Sequence, residues 1–394
     1  MRTYPDPVSR PVRVVRVTPS TTAALTTALA AALDGSGPAL LPVDEAAGEV
    51  GDDGGTVPDD VALLVRTSGS TGAPREVMLT GAALRASGEA TAARLQGHGR
   101  WLLPLPPAHV AGLQVLARSV LAGTEPTVLT GPFRAESFAA AVDAMPAGGP
   151  RYTSLVPTQL HRLLGSPAGT AALTGFAAVL LGGAASPPAL VARARDAGAR
   201  VVTTYGMSET CGGCVYDGVP LDGVAVDLDA DGRIAIAGPV LTAGYRRRPD
   251  LDADLLEVRD GTRWLRTSDL GRWTGADPAR LEVLGRADDV LVTGGVKVPP
   301  AAVERVLADR PGVGELLVVG VPDPEWGQAL VAVVVAAGPG PDLADLRAAA
   351  AAHLGAPAAP RHLVVVDALP LRGPGKPDRA GAALLAARSL GRTP

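Results

Sequence analysis

Lysine is almost missing from this chain. Of 36 cationic residues in 394, only Lys297 and Lys376 are lysine, and the rest are arginine. Abundant Ala, Gly, Pro and Arg point to a coding bias rather than to structure. A lysine kept in the Gly/Pro-rich stretch 371-LRGPGKPDR-379 therefore asks for a chemical reason. Aromatic residues make up 3%, so Ala, Val and Leu must build the core. Two cysteines cannot make a disulfide framework for a chain of this length. A formal net charge of −4 excludes the broad basic face that nucleic acid needs, although an anionic ligand held by local donors remains compatible. Apolar runs such as 330-LVAVVVAA-337 stop far short of the roughly 18 residues of a membrane span. The start, MRTYPDPVSRPVRVVRV, has no apolar stretch of signal length and is broken by Pro5, Pro7 and Pro11. The expectation is a soluble, cytoplasmic protein of two or three packed units, with no membrane insertion and no nucleic-acid partner.

From residue 61 to about 205, short buried runs alternate with Ala-rich helical stretches. VALLV (61–65), RYTSLV (151–156), AAVLL (177–181) and ARVVTT (199–204) predict strands, and 80–96 predicts a helix. That alternation implies parallel, helix-covered sheets. Between about 219 and 284 the helical pattern gives way to alternation around turns, which predicts antiparallel β structure. Beyond 285-GRADD-289, a helix (300–309), strands (313–321 and 328–336), a helix (342–354) and a strand (361–366) predict a compact α+β unit. The predicted organisation is residues 1–284, a hinge at 285–289, and residues 290–394.

Five stretches could carry chemistry. In 67-TSGSTGAPR-75, glycines let backbone N–H groups approach an anion, hydroxyls add donors, and a cation closes the loop. It is not a Walker A loop, and the strand-like 77-VML-79 after it predicts a hairpin rather than a helix N-terminus. A plain surface turn is the bland alternative. In 203-TTYGMSET-210, at the end of a predicted strand, Ser208 offers a hydroxyl, Glu209 a hard oxygen for Mg²⁺ and Tyr205 a face for a base. Alone, Glu209 could equally be a solvated carboxylate. In 264-WLRTSDLG-271, Asp269 could accept from a ribose diol. The pair 285-GRADD-289 and 294-GGVKVPPAAVE-304 suggests a hinge, or merely a charged linker. Lys376 lies in the last stretch.

In this order and at these separations, the five resemble the adenylate-forming superfamily of acyl-CoA ligases, peptide-synthetase adenylation domains and luciferases. The likeness runs from about 61 to 390. Segments 104-PLPPAHVAGLQVLARSVLAGT-124, 153-TSLVPTQLHRLL-164, 180-LLGGAASP-187 and 205-YGMSETCGGCVYDG-218 bring it nearest to the 2-succinylbenzoate–CoA ligases of menaquinone biosynthesis. The resemblance implies an α/β fold. A large N-terminal domain would hold helix-covered, mostly parallel sheets and a distorted β-barrel-like subdomain, with a small mobile α+β C-terminal domain beside it. It implies ATP, Mg²⁺ and coenzyme A, with a small carboxylate activated as acyl-AMP and then passed to the thiol. Thr67, Ser68, Gly69, Ser70, Thr71, Gly72 and Arg75 would wrap the β- and γ-phosphates. Gly183, Ala184 and Ala185 would contact adenine, with Thr204, Tyr205, Gly206 and Met207 beside the nucleotide and Tyr205 stacked on the ring. Ser208 would touch the α-phosphate and Glu209 would hold Mg²⁺. Asp269 and Arg286 would take the ribose, Asp288 would be the pivot, and Lys376 would bridge the substrate carboxylate and the α-phosphate. His109, Val110, Ser154, Gly183, Cys211 and Gly212 would line the acyl pocket.

Three features depart from the family pattern. Arg75-Glu76 stands where Lys-Gly is usual, and Ser208 replaces the commoner Thr. The phosphate loop also begins about a hundred residues early, which raises the question whether a partner subunit, as in a homodimer, completes the N-terminal sheet. His109 could pair with a second substrate carboxylate, although a histidine in an apolar run is more often structural. No acid stands near it to hold an α-ammonium, which disfavours amino acids. Cys211 and Cys214 form C-x-x-C, but no thioredoxin-like context or further zinc ligands accompany them. Lys297 could meet coenzyme A phosphates or simply be solvated. The rival readings are another aryl- or fatty-acid–CoA ligase, a stand-alone aryl-acid adenylating enzyme, and a nucleotide-binding protein without catalysis.

Overall fold

The structure, a computed structural model, describes residues 9–44, 54–68, 74–372 and 376–392, with Ser68, Pro74, Arg372 and Lys376 described by their backbone. The central sheet has seven strands in the order Val219–Pro220, Gly212–Tyr216, Val201–Met207, Ala178–Leu181, Arg151–Leu155, Arg100–Leu103, Thr127–Val128. The last five run parallel, and the first two join antiparallel. Ala178–Leu181 is buried at every position, as a parallel strand covered on both faces must be. The helix Val110–Leu121 covers one side of this sheet. The other side is filled by Phe138, Leu160, Leu163, Leu173 and Phe176. The predicted strands and the helix at 80–96, observed as Gly81–Arg94, are all present.

A six-stranded sheet precedes it, in the order Gly244–Tyr245, Pro74–Thr80, Val61–Ser68, Ala39–Asp44, Ser9–Val17, Thr56–Pro58. It is mixed rather than mostly parallel. Ser9–Val17, Ala39–Asp44 and Val61–Ser68 run parallel, whereas the remaining pairings are antiparallel. The reason is local: a hairpin can only pair its strands antiparallel, and Val61–Ser68 with Pro74–Thr80 is the hairpin that carries the 67–75 loop. Two of the six strands lie ahead of residue 45.

Residues 225–286 form a five-stranded antiparallel sheet around the long strand Thr262–Thr274, which is irregular at Leu270/Gly271. Residues 291–366 build a separate sheet from Leu291–Thr293, Val296–Val298, Val313–Asp323, Gly327–Ala336 and His362–Val366. Helices Pro300–Leu307, Leu343–Leu354 and Arg379–Ser389 cover it, each face with its own apolar core. Lys376–Pro377 pairs with Leu371–Arg372, which puts Lys376 opposite Arg372 just before the last helix. Two arginines tie this region together. Arg379 donates to Asp289 at 3.1 Å, to Glu304 and to the Val318 carbonyl, linking the lysine segment to residues 285–289. Arg305 donates to Glu282 at 2.7 Å and to the Val283 carbonyl, holding helix Pro300–Leu307 against strand Arg280–Arg286. Among the described residues no helix is long and apolar enough to cross a membrane.

Candidate active site

The site forms at the carboxyl ends of the parallel strands, where an open α/β sheet leaves a crevice. Val201–Met207 runs into a single 3₁₀ turn, Ser208–Thr210. Cys211 then reverses the chain with φ +53, and Gly212–Tyr216 returns antiparallel. Gly206 is required here, because a Cβ on it would lie 2.0 Å from the Gly212 carbonyl oxygen. Thr210 pins the turn, accepting from Met207 N at 2.9 Å and donating to the Gly212 carbonyl at 2.7 Å. The turn thereby fixes where Ser208 and Glu209 sit.

Two tyrosine–carboxylate pairs flank the turn. Tyr205 donates to Asp269 at 2.8 Å, joining residues 64 apart in sequence. Burial holds the Asp269 carboxyl above the ordinary carboxylate range, against the opposing pull of Tyr205 and of Arg286, 4.0 Å away. Arg286 also pairs with Asp288 at 2.7 Å. On the other side Tyr245 donates to Glu209 Oε1 at 2.7 Å, and Thr242 N bonds the Glu209 carbonyl. Burial first, then the Glu209 charge, pushes the Tyr245 phenol well above its usual value, while the Arg75 charge acts in the opposite sense. Arg75 therefore shares a neighbourhood with Glu209, and its Nε is buried with no hydrogen-bond partner among the described residues.

Strand alternation explains how Arg75 and Glu76 can be neighbours without conflict. Successive side chains on Pro74–Thr80 point to opposite faces. Glu76 faces Arg66, its cross-strand partner, accepting at 3.0 and 3.1 Å, and also accepts from Arg246 Nη1 at 3.1 Å. Arg246 in turn donates to the Gly54 carbonyl at 2.8 Å. The carboxylate that departs from the family pattern is thus matched by two guanidiniums on the face away from Glu209.

The acyl side is built from the helix Val110–Leu121. A Cβ on Gly212 would lie 3.8 Å from Val110 Cγ2 and 3.3 Å from Gln114 Cγ, so the hairpin and the helix start are in contact. Ser154 is nearly buried and Cys211 fully so. Gly183, at φ +81, abuts Val156, and Thr204 packs against Gly182 and donates to the Leu181 carbonyl. His109 caps the helix start with its Nε2 3.5 Å from Asp44, so its imidazole already faces a carboxylate of the chain's own. The two thiols are buried, and burial pushes Cys214 up to about 12, which makes both inert. Gly69, Ser70, Thr71 and Gly72 lie outside the described residues, as do the side chains of Ser68 and Lys376. Lys297 is exposed on strand Val296–Val298, opposite Val292.

Matches to known proteins decide the family. The model of the AMP-binding enzyme family covers residues 13–246, and that of the AMP-binding enzyme C-terminal domain covers 302–376. This chain belongs to the AMP-binding enzyme family. A probable 2-succinylbenzoate–CoA ligase of Mycobacterium tuberculosis is 48% identical over 373 residues, covering 92% of this chain and 94% of its own. Two solved structures share the fold at 28% identity. The o-succinylbenzoate CoA synthetase of Bacillus subtilis, in complex with its acyl-adenylate intermediate, covers 91% of this chain and 80% of its own at TM-score 0.69. An amide bond synthetase from Marinactinospora thermotolerans covers 95% and 80% at TM-score 0.74.

The structure shows residues that the sequence reading passed over. Tyr245 braces Glu209, and Arg66 and Arg246 neutralise Glu76. Beside the residues expected to line the acyl pocket lie Gln114 and Arg118, 1% and 5% exposed, on a largely apolar helix. Arg118 donates to the Tyr216 hydroxyl at 3.2 Å and sits over Trp101. The signal for these two was a pair of polar residues inside the apolar run VAGLQVLARSVL.

Proposed function

We propose that this protein is an AMP-forming acid–CoA ligase that joins 2-succinylbenzoate to coenzyme A. The observation that carries the reading is the presence of two braced carboxylates, Tyr205–Asp269 and Tyr245–Glu209, flanking one turn in a chain 48% identical to the mycobacterial ligase. In the first half-reaction a carboxylate oxygen attacks the α-phosphorus of ATP and pyrophosphate leaves with its electron pair. In the second, the coenzyme A thiol attacks the acyl carbon, AMP leaves and the thiol proton is lost.

Each residue's role follows from its chemistry. Asp269, aimed by Tyr205, accepts from the ribose hydroxyls, with Arg286 beside it. Gly183, Ala184 and Ala185 face adenine. Ser208 and the 67–75 hairpin meet the phosphates, and the unmet Nε of Arg75 is a donor waiting for an oxyanion. Glu209, braced by Tyr245, would hold Mg²⁺, and the ion would neutralise phosphate charge. Lys376 approaches from the small C-terminal unit as a compact ammonium between two oxyanions, where a planar guanidinium would not fit the same gap. We assign residues 285–289 as the hinge, with Asp288 as pivot, between units 1–284 and 290–394.

The test is ATP–pyrophosphate exchange across a panel of carboxylates, followed by detection of the thioester after adding coenzyme A. Exchange with 2-succinylbenzoate and its thioester is the expected result. Exchange with benzoates or fatty acids alone would replace the acid, and no exchange with any acid would leave a nucleotide-binding protein.

A further inference from the structure

We infer that Gln114 is a specificity-determining residue, whose carboxamide hydrogen-bonds an oxygen on the side chain of the acid. The inference rests on the acid–CoA ligase reading above and names a contact within that site. Gln114 is 1% exposed, and neither its Oε1 nor its Nε2 has a hydrogen-bond partner among the described residues. A carboxamide shut away from water without partners destabilises the fold, so a persistent one marks a place where partners arrive from outside. Its position says from where. Gln114 lies one helical turn beyond Val110 and on the same face. Gly212 touches both, with the position of its missing Cβ 3.3 Å from Gln114 Cγ. Any side chain at residue 212 would press on Gln114, so glycine there keeps the carboxamide beside the turn that carries Glu209.

The chemistry of the acid completes the pair. The Nε2 group donates to a ketone or carboxylate oxygen, the groups that distinguish 2-succinylbenzoate from a plain arylalkanoic acid. Oε1 accepts from a water that enters with the acid. Leu113, Val115 and Leu116 around it are apolar and fully buried, so the carboxamide is the polar point of that stretch of helix. An acid with only carbon at this depth would leave the carboxamide unmet.

The experiment compares the full chain with Gln114→Leu in ATP–pyrophosphate exchange, using 2-succinylbenzoate and 4-phenylbutanoate, which keeps ring and chain but lacks the other oxygens. We expect kcat/KM for 2-succinylbenzoate to fall about 10–100-fold, with 4-phenylbutanoate and the KM for ATP unchanged. Without any acid, Gln114→Leu should raise Tm by about 2–4 °C, because it removes an unsatisfied buried group. Gln114→Asn, which retracts the same amide by one methylene, should weaken 2-succinylbenzoate through KM. Equal losses on both acids, no loss, or a lowered Tm or failure to fold would each overturn the inference. The Tm shift needs no acid, so it judges the buried carboxamide even if the wild type ignores 2-succinylbenzoate, a result that would sink the substrate reading instead.

Discussion

Glu76→Ala removes the carboxylate that grips the stem of the phosphate hairpin. Glu76 holds Arg246, 5% exposed, and Arg66, 34% exposed, and is itself 19% exposed. Breaking a buried ion pair from one side costs about 3–5 kcal/mol. The half facing Arg66 adds at most about 0.5 kcal/mol, because solvent screens it. The total falls near the low end, about 3 kcal/mol, since the Gly54 carbonyl still accepts from Arg246. For a 394-residue chain that lowers Tm by about 3–5 °C. Glu76→Gln keeps the shape and one acceptor and should lose about half as much. Arg66→Ala should shift Tm little. Thermal melts of the three variants, alongside the KM for ATP, make the measurement. A shift under about 2 °C for Glu76→Ala, or equal shifts for Glu76→Ala and Arg66→Ala, would refute the clamp. A raised KM for ATP at unchanged Tm would put the carboxylate in the phosphate site itself.

Three further outcomes are expected. Lys376→Ala should lower adenylation about 10²–10³-fold yet spare thioester formation from supplied acyl-AMP; equal losses in both halves would rule out alternation of the small unit. Tyr245→Phe deletes the 2.7 Å bond to Glu209 and should raise the Mg²⁺ concentration for half-maximal exchange about tenfold, which a metal titration reads directly. Burial raises the Asp269 pKa above its unfolded value. Its contribution to stability is therefore present below the unfolded pKa and lost as pH rises through the folded one. AMP affinity should move the other way, weakening as pH falls through the raised folded pKa and the carboxyl takes up its proton, and Asp269→Asn should flatten both profiles.

The strands and helices were legible because each rests on a local pattern. Ala178–Leu181 is apolar throughout, and the 67–75 loop is flanked by runs that can only close as a hairpin. The mixed character of the first sheet was not legible, since its edge pairs, such as Tyr245 with Val77, join short segments far apart in sequence. The same limit applied to the site. Tyr205, Asp269 and Glu209 could be named from their motifs, but Tyr245 lies in no motif and meets Glu209 only through folding. Arg75-Glu76 stood out as a departure from the family pattern, but what Glu76 meets depended on strand alternation and on Arg246, far away in sequence. His109 was expected to face substrate, and its approach to Asp44 depended on where the strand Ala39–Asp44 ends.

The buried C-x-x-C has a practical consequence. Both native thiols are fully enclosed and protonated, so neither competes for a maleimide under mild conditions. A cysteine introduced at the exposed strand position Lys297 and another on the large unit would be the reactive sulfurs of the molecule. Fluorophores placed there would report the distance between the two units through a single turnover, with no background to engineer away.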